Sequence, residues 1–190
     1  APAARTYGLE YHLNALDDKV IAYDIRTQQS TNIFGGYFQS EWTSKHFNVL
    51  IGARLDKHNL LENPVFVPRI NFLYKPTTNL QVRASYSSGY RAPQAYEEDF
   101  HVTQVGGFSL RTRLADNLKP EYSNSFALSA DYYCQIGDNW QGNILLEGFY
   151  TILNDVFAIR ELETDTLTQT LYQERYNASG ATIAGASITA

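Results

Sequence analysis

The residues best suited to chemistry in this sequence lie between positions 97 and 113. Glu97, Glu98 and Asp99 form an acidic run, and His101 follows shortly after it. Carboxylate oxygens suit Ca²⁺, whereas an imidazole suits a softer metal. The run has neither the spacing nor the glycine of an EF-hand loop, so we interpret it as solvated charge in a loop rather than as a metal site.

Other groups with chemical potential are scattered along the chain. The histidines are His12, His46, His58 and His101. None belongs to a His-x-Glu or His-Glu-x-x-His pattern. Sequence does not exclude a Ser–His–acid triad, because a triad is a spatial arrangement, but nothing marks a nucleophile. We therefore predict that the protein is not an enzyme and that it has no resident cofactor or catalytic metal.

Composition and charge exclude several classes of protein. The 190 residues carry a net charge of −5 and no basic cluster, so no nucleic-acid partner is expected. A single cysteine, Cys134, permits neither an internal disulfide nor a cysteine-based zinc site. No apolar run approaches the ~18 residues of a membrane-spanning helix. Charged residues make up only 18% of the chain, and aromatic residues make up 14%. This charge-poor, aromatic-rich composition favours β-structure with aromatic rings at a boundary with water.

The dominant pattern is an alternation of apolar and polar residues with a period of two, which is typical of β-strands with one apolar face. In one example Phe126, Leu128 and Ala130 alternate with Ser129 and Asp131. The pattern predicts about eight strands. They begin near Tyr7, Phe34, Phe47, Ile70, Leu80, Phe126, Trp140 and Ala181.

The predicted connections alternate in length along the chain. Short turns are expected at Thr43–His46, Pro76–Asn79 and Gly137–Asn139. Long connections are expected at Asp17–Thr31, His58–Val67, Arg91–Glu121 and Asn154–Gly180. This rhythm is typical of a membrane β-barrel with tight turns on one side and large loops on the other.

The pattern leaves open which solvent meets the apolar faces, because strands of soluble sandwiches and barrels also alternate. Long strands, apolar faces that nearly lack charge, and aromatic residues near strand ends favour a membrane barrel. The alternative is a soluble β-barrel or β-sandwich that binds a ligand. In a membrane barrel Phe47, Ile51 and Leu128 point outward while Arg83 and Asp131 point inward, and in a soluble protein the apolar side chains point inward.

Several segments, in this order, carry a resemblance to one known family. They are Asn32–Trp42, Val49–His58, Pro68–Pro76, Ala84–Pro93 followed by Glu97 and Glu98, Leu118–Ser125 and Gly148–Asp155. Ala84–Pro93 is similar to a GFRAP…E signature, and Leu118–Ser125 is similar to an LKPExSxS segment. These segments resemble TonB-dependent outer-membrane receptors, the family that imports iron–siderophore complexes, haem and cobalamin.

The resemblance implies an all-β fold, an antiparallel up-and-down meander of about eight strands within a transmembrane β-barrel of about 22 strands. It implies short periplasmic turns, long extracellular loops and a location in the outer membrane of a Gram-negative bacterium. Residues 1–190 are expected to be a fragment of the barrel domain without the plug domain or the terminal strands. The lack of methionine agrees with a processed chain or an excised fragment.

The partners implied by the resemblance are a nutrient, a protein and the surrounding membrane. The nutrient is expected to be a ferric siderophore, haem or cobalamin. TonB is expected to act through the plug domain, and outer-membrane lipid and the rest of the barrel are expected to surround the chain.

The resemblance also assigns a structural motif to the two ends of the Arg91–Glu121 connection. The motif consists of Arg91, Ala92, Pro93, Glu97, Lys119, Pro120 and Glu121. Pro93 lacks an N–H group and is expected to end a strand, and Arg91 is expected to tether the loop by pairing with an acid such as Glu97. A ligand-facing base of the loop is the alternative role for this motif.

Ligand contact is expected from the interior of the same connection. The residues assigned to it are Tyr96, His101, Arg111 and Arg113. The arginines would attract an anionic ferric chelate, because a guanidinium combines a permanent positive charge with several hydrogen-bond donors.

Overall fold

The described part of the chain is built from β-strands. The structure, a computed structural model, describes residues 3–20, 25–93, 109–136, 140–167 and 170–190. The strands in these ranges are β1 (Ala3–Val20), β2 (Ile25–Thr43), β3 (Phe47–His58), β4 (Val65–Tyr74), β5 (Leu80–Arg91), β6 (Ser109–Leu114), β7 (Glu121–Ile136), β8 (Trp140–Asn154), β9 (Phe157–Asp165), β10 (Thr170–Asn177) and β11 (Ala181–Thr189). No helix in the described ranges is long and apolar enough to cross a bilayer.

Eight strands form one antiparallel sheet, which we call the main sheet, in the order β1-β2-β3-β4-β5-β7-β8-β11. This order confirms the predicted meander of about eight strands. β2, β4 and β7 end at one end of the sheet, which we call the short-turn end. β1, β3, β5 and β8 end at the other, which we call the long-loop end. Within the described residues the sheet is open, with β1 and β11 at its edges.

The register of the main sheet gathers apolar side chains on one face. Tyr7 lies opposite Phe38, which lies opposite Ala53 on the next strand. Farther along the sheet, Phe126 lies opposite Tyr150. Because side chains alternate between faces, most of the large apolar side chains share this side of the sheet, which we call the apolar face. A few lie on the other face, since Leu50 lies opposite Glu41 and Leu73 opposite Arg83.

No layer of protein covers the apolar face in the described part of the chain. Leu9 is 77% exposed, Leu128 is 59% exposed and Leu146 is 54% exposed. Within the described ranges, the buried hydrophobic core is a small cluster beside the β3–β4 connection. It consists of Leu61, Val65 and Ala92. A sheet that exposes this much apolar surface needs an apolar surrounding, and a lipid bilayer supplies one.

The side chains that distinguish a membrane barrel from a soluble one take the membrane arrangement. Phe47, Ile51 and Leu128 lie on the exposed apolar face. Arg83 and Asp131 lie on the opposite, polar face, because Arg83 pairs with Ser129 and Asp131 is two residues farther along β7. A soluble barrel would have enclosed Phe47, Ile51 and Leu128.

Aromatic side chains mark both borders of the apolar face. Trp42 and Phe47 lie at the short-turn end, and Tyr11 and Phe34 lie toward the long-loop end, all of them exposed. Phe34 and Trp42 lie on the same strand, about 26 Å apart along it at ~3.3 Å per residue. With the strand tilt of about 40° in outer-membrane barrels, this distance spans about 20 Å of height, which fits within their apolar band of about 25 Å.

A hydrogen-bonded ion network crosses three strands on the polar face. Glu10, Gly35 and Asp56 lie opposite one another on β1, β2 and β3. Arg54 donates to Asp56 at 2.7 Å and to Glu10 at 2.6 Å, and the Tyr90 hydroxyl donates to Asp56 at 3.2 Å. A Cβ on Gly35 would overlap both the Asp56 carboxylate and the Arg54 guanidinium. Glycine at position 35 therefore opens the path by which Arg54 reaches across β2.

The predicted long connection Asp17–Thr31 is wrong, because both strands continue through most of it. β1 extends to Val20 and β2 starts at Ile25, with Asp17 opposite Gln28. Arg26 donates to the Asp17 carboxylate at 2.9 and 2.6 Å. Polar residues occupy both faces here, so the alternation that reveals a strand is lost, whereas the backbone ladder and the cross-strand ion pair maintain it.

The last two predicted long connections occur where expected, but they contain unpredicted strands. β6 follows β5, and β9 and β10 follow β8. They form a second sheet, which we call the outer sheet, in the order β6-β10-β9, in which β6 runs parallel to β10. Sequence patterns missed these strands because polar side chains occupy both of their faces, as with Glu174 and Arg175 of β10, so the apolar alternation is lost.

We expect folding of the chain to require detergent, because its apolar face has no protein cover. Without detergent the chain should aggregate, and in micelles it should be rich in β-structure. Far-UV circular dichroism and gel filtration with and without micelles measure both properties. A compact, β-rich monomer in plain buffer would contradict the assignment of this face to lipid.

Substitution of Gly35 by alanine should destabilise the sheet, because the new methyl group overlaps the Arg54–Asp56 pair. We expect a loss of about 1–3 kcal/mol in the free energy of unfolding, measured by urea titration of the chain folded in micelles. Gly36→Ala is the matched control, since its Cβ would only touch Leu9 at 3.4 Å. Equal effects of the two substitutions would show that the network does not need Gly35.

Candidate functional site at the long-loop end

The ends of four strands meet at the long-loop end and hold the outer sheet on the main sheet. Arg91 ends β5, and Glu121 begins β7 directly opposite it. Phe157 begins β9, and Asn177 ends β10 opposite it. We call Arg91–Glu121 the first long connection and Asn154–Gly180 the second long connection. Residues from both therefore converge on one place.

Glu121 is the acid that tethers Arg91. Its Oε2 atom accepts from Arg91 Nη2 at 3.0 Å and from the backbone N–H of Phe157 at 2.9 Å. The Arg91 guanidinium also lies over the Phe157 ring, 4.8 Å from its centroid. Arg91 is thus tethered by Glu121. The expected pair of Arg91 with Glu97 stays a prediction, because Glu97 lies outside the described residues. Charge-assisted bonds to a mostly buried carboxylate are the stronger kind.

The remaining residues of the predicted structural motif lie beside this ion pair. β5 ends at Arg91, before the buried Ala92 and Pro93. Ala92 packs in the small cluster with Leu61 and Val65. At the far end of the connection, Lys119 and Pro120 lead into Glu121 and the start of β7.

Asn177 joins the two long connections, and sequence reasoning missed it. Its Oδ1 atom accepts from the Lys119 N–H at 2.7 Å. Its Nδ2 group donates to the Lys119 carbonyl at 3.0 Å and to the Asp155 carbonyl at 2.7 Å. Lys119 lies 58 residues away in sequence and Asp155 lies 22 away. No local pattern signals an asparagine whose partners are this distant.

One face of the outer sheet combines arginine with tyrosine. Alternation along β10 places Tyr172, Glu174 and Tyr176 on the same face. The Arg113 guanidinium, from β6, lies 4.3 Å from the centroid of the Tyr172 ring. Arg160, from β9, lies 5.0 Å from that of Tyr176 and donates to Glu174 at 2.7 Å. We call these five residues the arginine–tyrosine face.

The opposite face of β10 is buried, and its side chains contact the neighbouring strands β6 and β9. Gln173 is buried and donates to Thr112 of β6 at 2.7 Å. Arg175 is 2% exposed, and its guanidinium lies 5.7 Å from the centroid of the Phe157 ring. The arginine–tyrosine face is therefore presented by a sheet whose back is held by hydrogen bonds and ring contacts.

The structure describes two of the four residues that were predicted to contact the ligand. Arg113 lies on the arginine–tyrosine face. The backbone of Arg111 lies opposite Tyr172 in the parallel ladder of β6 and β10. Tyr96 and His101 lie outside the described residues, as do Glu98 and Asp99 of the acidic run. Among the residues that are described, no group of three or more acidic, histidine or cysteine side chains could hold a metal ion.

The arginine–tyrosine face is suited to binding an anion with planar groups. A guanidinium offers hydrogen-bond donors in a planar fork and stacks on rings. The Arg113 side chain is exposed, whereas Arg160 is already paired with Glu174. Arg113 is therefore the cation on this face best placed to meet an incoming ligand.

Comparison with protein families gives a match over nearly the whole chain. Residues 2–190 match a family model described as TonB dependent receptor-like, beta-barrel. The chain is 31% identical over 129 residues to the iron-regulated outer membrane virulence protein of Vibrio cholerae serotype O1 (strain El Tor Inaba N16961). That match covers 67% of the chain and 20% of the relative, so the chain corresponds to about a fifth of the relative's length.

Solved structures share the fold at low sequence identity. The siderophore receptor PirA of Pseudomonas aeruginosa superposes with a TM-score of 0.76 at 19% identity, over 98% of this chain and 35% of that one. The ferric enterobactin receptor PfeA gives 0.72 at 18%, over 98% and 30%. The FrpB iron transporter of Neisseria meningitidis gives 0.68 at 15%, over 98% and 30%. At these identities the likeness shows the fold alone.

Glu121→Ala should destabilise the junction of the two sheets, because it removes the carboxylate that Arg91 binds and leaves the Phe157 N–H without its acceptor. We expect a loss of about 1–3 kcal/mol in the free energy of unfolding in micelles. Glu163→Ala, at an exposed position of β9, is the control and should have little effect. If both variants unfold like the unmodified chain, the Glu121 contacts do not stabilise the junction.

Proposed function

This chain belongs to the TonB-dependent receptor β-barrel family, and on that premise we propose that it forms barrel wall and outer loops in a receptor that imports a ferric siderophore. Its membership confirms the resemblance found in the sequence. Members of this family lie in the outer membrane of Gram-negative bacteria, so this chain is an outer-membrane protein. The exposed apolar face, with aromatic side chains at both borders, agrees with that location.

The open edges support a place within a larger closed barrel. The backbone groups of β1 and β11 that point away from the sheet would be costly in lipid unless further strands paired with them. Closed outer-membrane transporters with a plugged lumen have about 22 strands. Eight strands of the main sheet would then be an arc of that wall, with the outer sheet on its extracellular side.

The polar face of the arc would line the lumen and meet a plug domain. It carries charges of both signs, among them Glu41, Arg69, Arg83 and Glu147. Such charges need partners in a confined lumen, and a plug domain would supply some of them. TonB would act on that plug rather than on the residues of this chain. The chain would thus serve as the fixed frame of the transporter.

The observation that carries the choice of ligand is the exposed Arg113 guanidinium stacked on the Tyr172 ring. A ferric tris-catecholate is an anion built from flat aromatic rings, so it matches the charge of the Arg113 guanidinium and the shape of the Tyr172 ring. Haem and cobalamin, the other expected nutrients, have no such support, since no histidine in the described residues lies on this face. We therefore prefer a catecholate-type ferric siderophore.

The transport step that this chain would perform is capture. Arg113 would attract the anion and Tyr172 would offer a ring for stacking, while the buried back of the outer sheet keeps both in place. No covalent bond forms or breaks, so the protein would act as a receptor and not as an enzyme. Movement of the ligand through the barrel would follow rearrangement of the plug.

Arg113→Ala should weaken binding of ferric enterobactin to the intact receptor about tenfold, because it removes the exposed cation and its stacking surface. Binding is measured by quenching of intrinsic fluorescence in detergent. Arg113→Lys, which keeps the charge but not the planar stack, should lose less. Arg5→Ala, near the short-turn end, is the control and should bind normally.

A neutral ferric trihydroxamate provides the control for charge. Its binding, where present, should not respond to Arg113→Ala. An intact receptor that binds no ferric chelate would contradict the proposed function. Unchanged affinity of Arg113→Ala for ferric enterobactin would remove the arginine–tyrosine face from the ligand site.

A further inference from the structure

The Asn177 side chain pairs with the backbone of Lys119 as another strand would. Its amide accepts from the N–H and donates to the carbonyl of the same residue, at 2.7 and 3.0 Å. Its remaining N–H donates to Asp155. Both donors and the acceptor of the amide are thereby used, and they join the first long connection to the junction of β8 and β9.

Asn177 is the last of several attachments between the two long connections. The parallel ladder pairs Ser109–Leu114 with Thr170–Arg175. Next, the Ala115 N–H donates to the Arg175 carbonyl at 3.0 Å. Asn177 then binds Lys119, beyond the end of this ladder. The first long connection therefore runs beside β10, and hydrogen bonds attach it to β10 between residues 109 and 119.

Asp155, the other partner of Asn177, sets the angle at which β9 leaves the wall. Its φ of 53° lies in the left-handed region, which non-glycine residues adopt infrequently. The Asn177 amide holds the carbonyl of this residue, and the Ala178 N–H binds the next carbonyl, that of Val156, at 2.7 Å. Without the Asn177 donor, the turn at Asp155 that leads into the β9–β10 hairpin would lose this constraint.

The two halves of the main ligand-facing contact come from different connections. Arg113 belongs to β6, in the first long connection, and Tyr172 belongs to β10, in the second. The Arg160–Tyr176 contact, in contrast, lies entirely within the second connection. A change in the relative placement of the two connections would therefore disturb the Arg113–Tyr172 contact and spare the Arg160–Tyr176 contact.

We propose that Asn177 is a positioning residue that completes the attachment of the two long connections beyond the β6–β10 ladder, and that it thereby keeps Arg113 over Tyr172 for ligand capture. This inference rests on the proposed function for the identity of the ligand. Asparagine fits the role because the amide supplies donors and an acceptor together. Aspartate has nearly the same size, but it lacks the donors and would place a charge against two carbonyl oxygens.

The first test measures the coupling without any ligand. Spin labels are placed in the intact receptor at Asp116→Cys, in the first connection, and at Glu161→Cys, on β9, in a Cys134→Ala background. Both labelled positions are exposed. Double electron–electron resonance should give a narrow distance distribution with Asn177 and a broader or shifted one in Asn177→Asp and Asn177→Ala. Asn154→Ala, an exposed neighbour at the end of β8, is the matched control and should leave it narrow.

The second test is a double-mutant cycle on the affinity for ferric enterobactin. We expect Asn177→Asp and Arg113→Ala each to weaken binding about tenfold. If Asn177 acts by positioning Arg113, the double variant should lose little more than Arg113→Ala alone. Independent effects would multiply to a loss of about a hundredfold. Using both Asp and Ser at position 177 provides a second folded variant if one of them expresses poorly.

The outcomes separate this inference from the proposed function. An unchanged distance distribution in the Asn177 variants overturns the coupling, whatever the binding data show. A broadened distribution with unchanged affinity, or with a multiplicative loss in the double variant, overturns the positioning role. An unmodified receptor that does not bind the chelate overturns the proposed ligand and the role in capture, while the spin-label distances still decide the coupling.

Discussion

The apolar face of the main sheet has no protein layer to pack against, and the rest of the structure depends on this constraint. In water, each Å² of exposed apolar surface costs roughly 25 cal/mol, so a sheet with Leu9 and Leu128 this exposed requires lipid. Lipid offers no hydrogen bonds, so the backbone must satisfy its own groups through long antiparallel ladders. The same requirement leaves β1 and β11 in need of neighbouring strands.

The polar face of the main sheet carries the charged side chains that the apolar face lacks. Charges that cannot face lipid point the other way, where they bind each other across strands. Arg54 reaches Glu10 across β2 only because Gly35 leaves the space open. Glycine would usually weaken a strand, and here it leaves the space that the ion network occupies. The charges of the polar face and the strand glycine are thus parts of one arrangement.

The outer sheet lies at the long-loop end of the main sheet, and it buries one face as the sheets of soluble proteins do. Its buried face carries Gln173 and Arg175, held by hydrogen bonds and ring contacts, and its exposed face carries Arg113 and Tyr172. A rigid wall that presents a variable polar surface is a common way to build a binding site, because the wall fixes the base of each loop. Glu121 and its partners provide that base here.

The sequence by itself determined the strands of the main sheet, their faces and the family, because alternation is encoded within each strand and the signature segments are contiguous. It also indicated that Arg91 is tethered. Only the tertiary structure decided that the tether is Glu121, that β6 pairs with β10, and that Asn177 binds Lys119. These contacts join residues far apart in sequence, and no local pattern specifies which of many polar groups will meet once the strands are aligned.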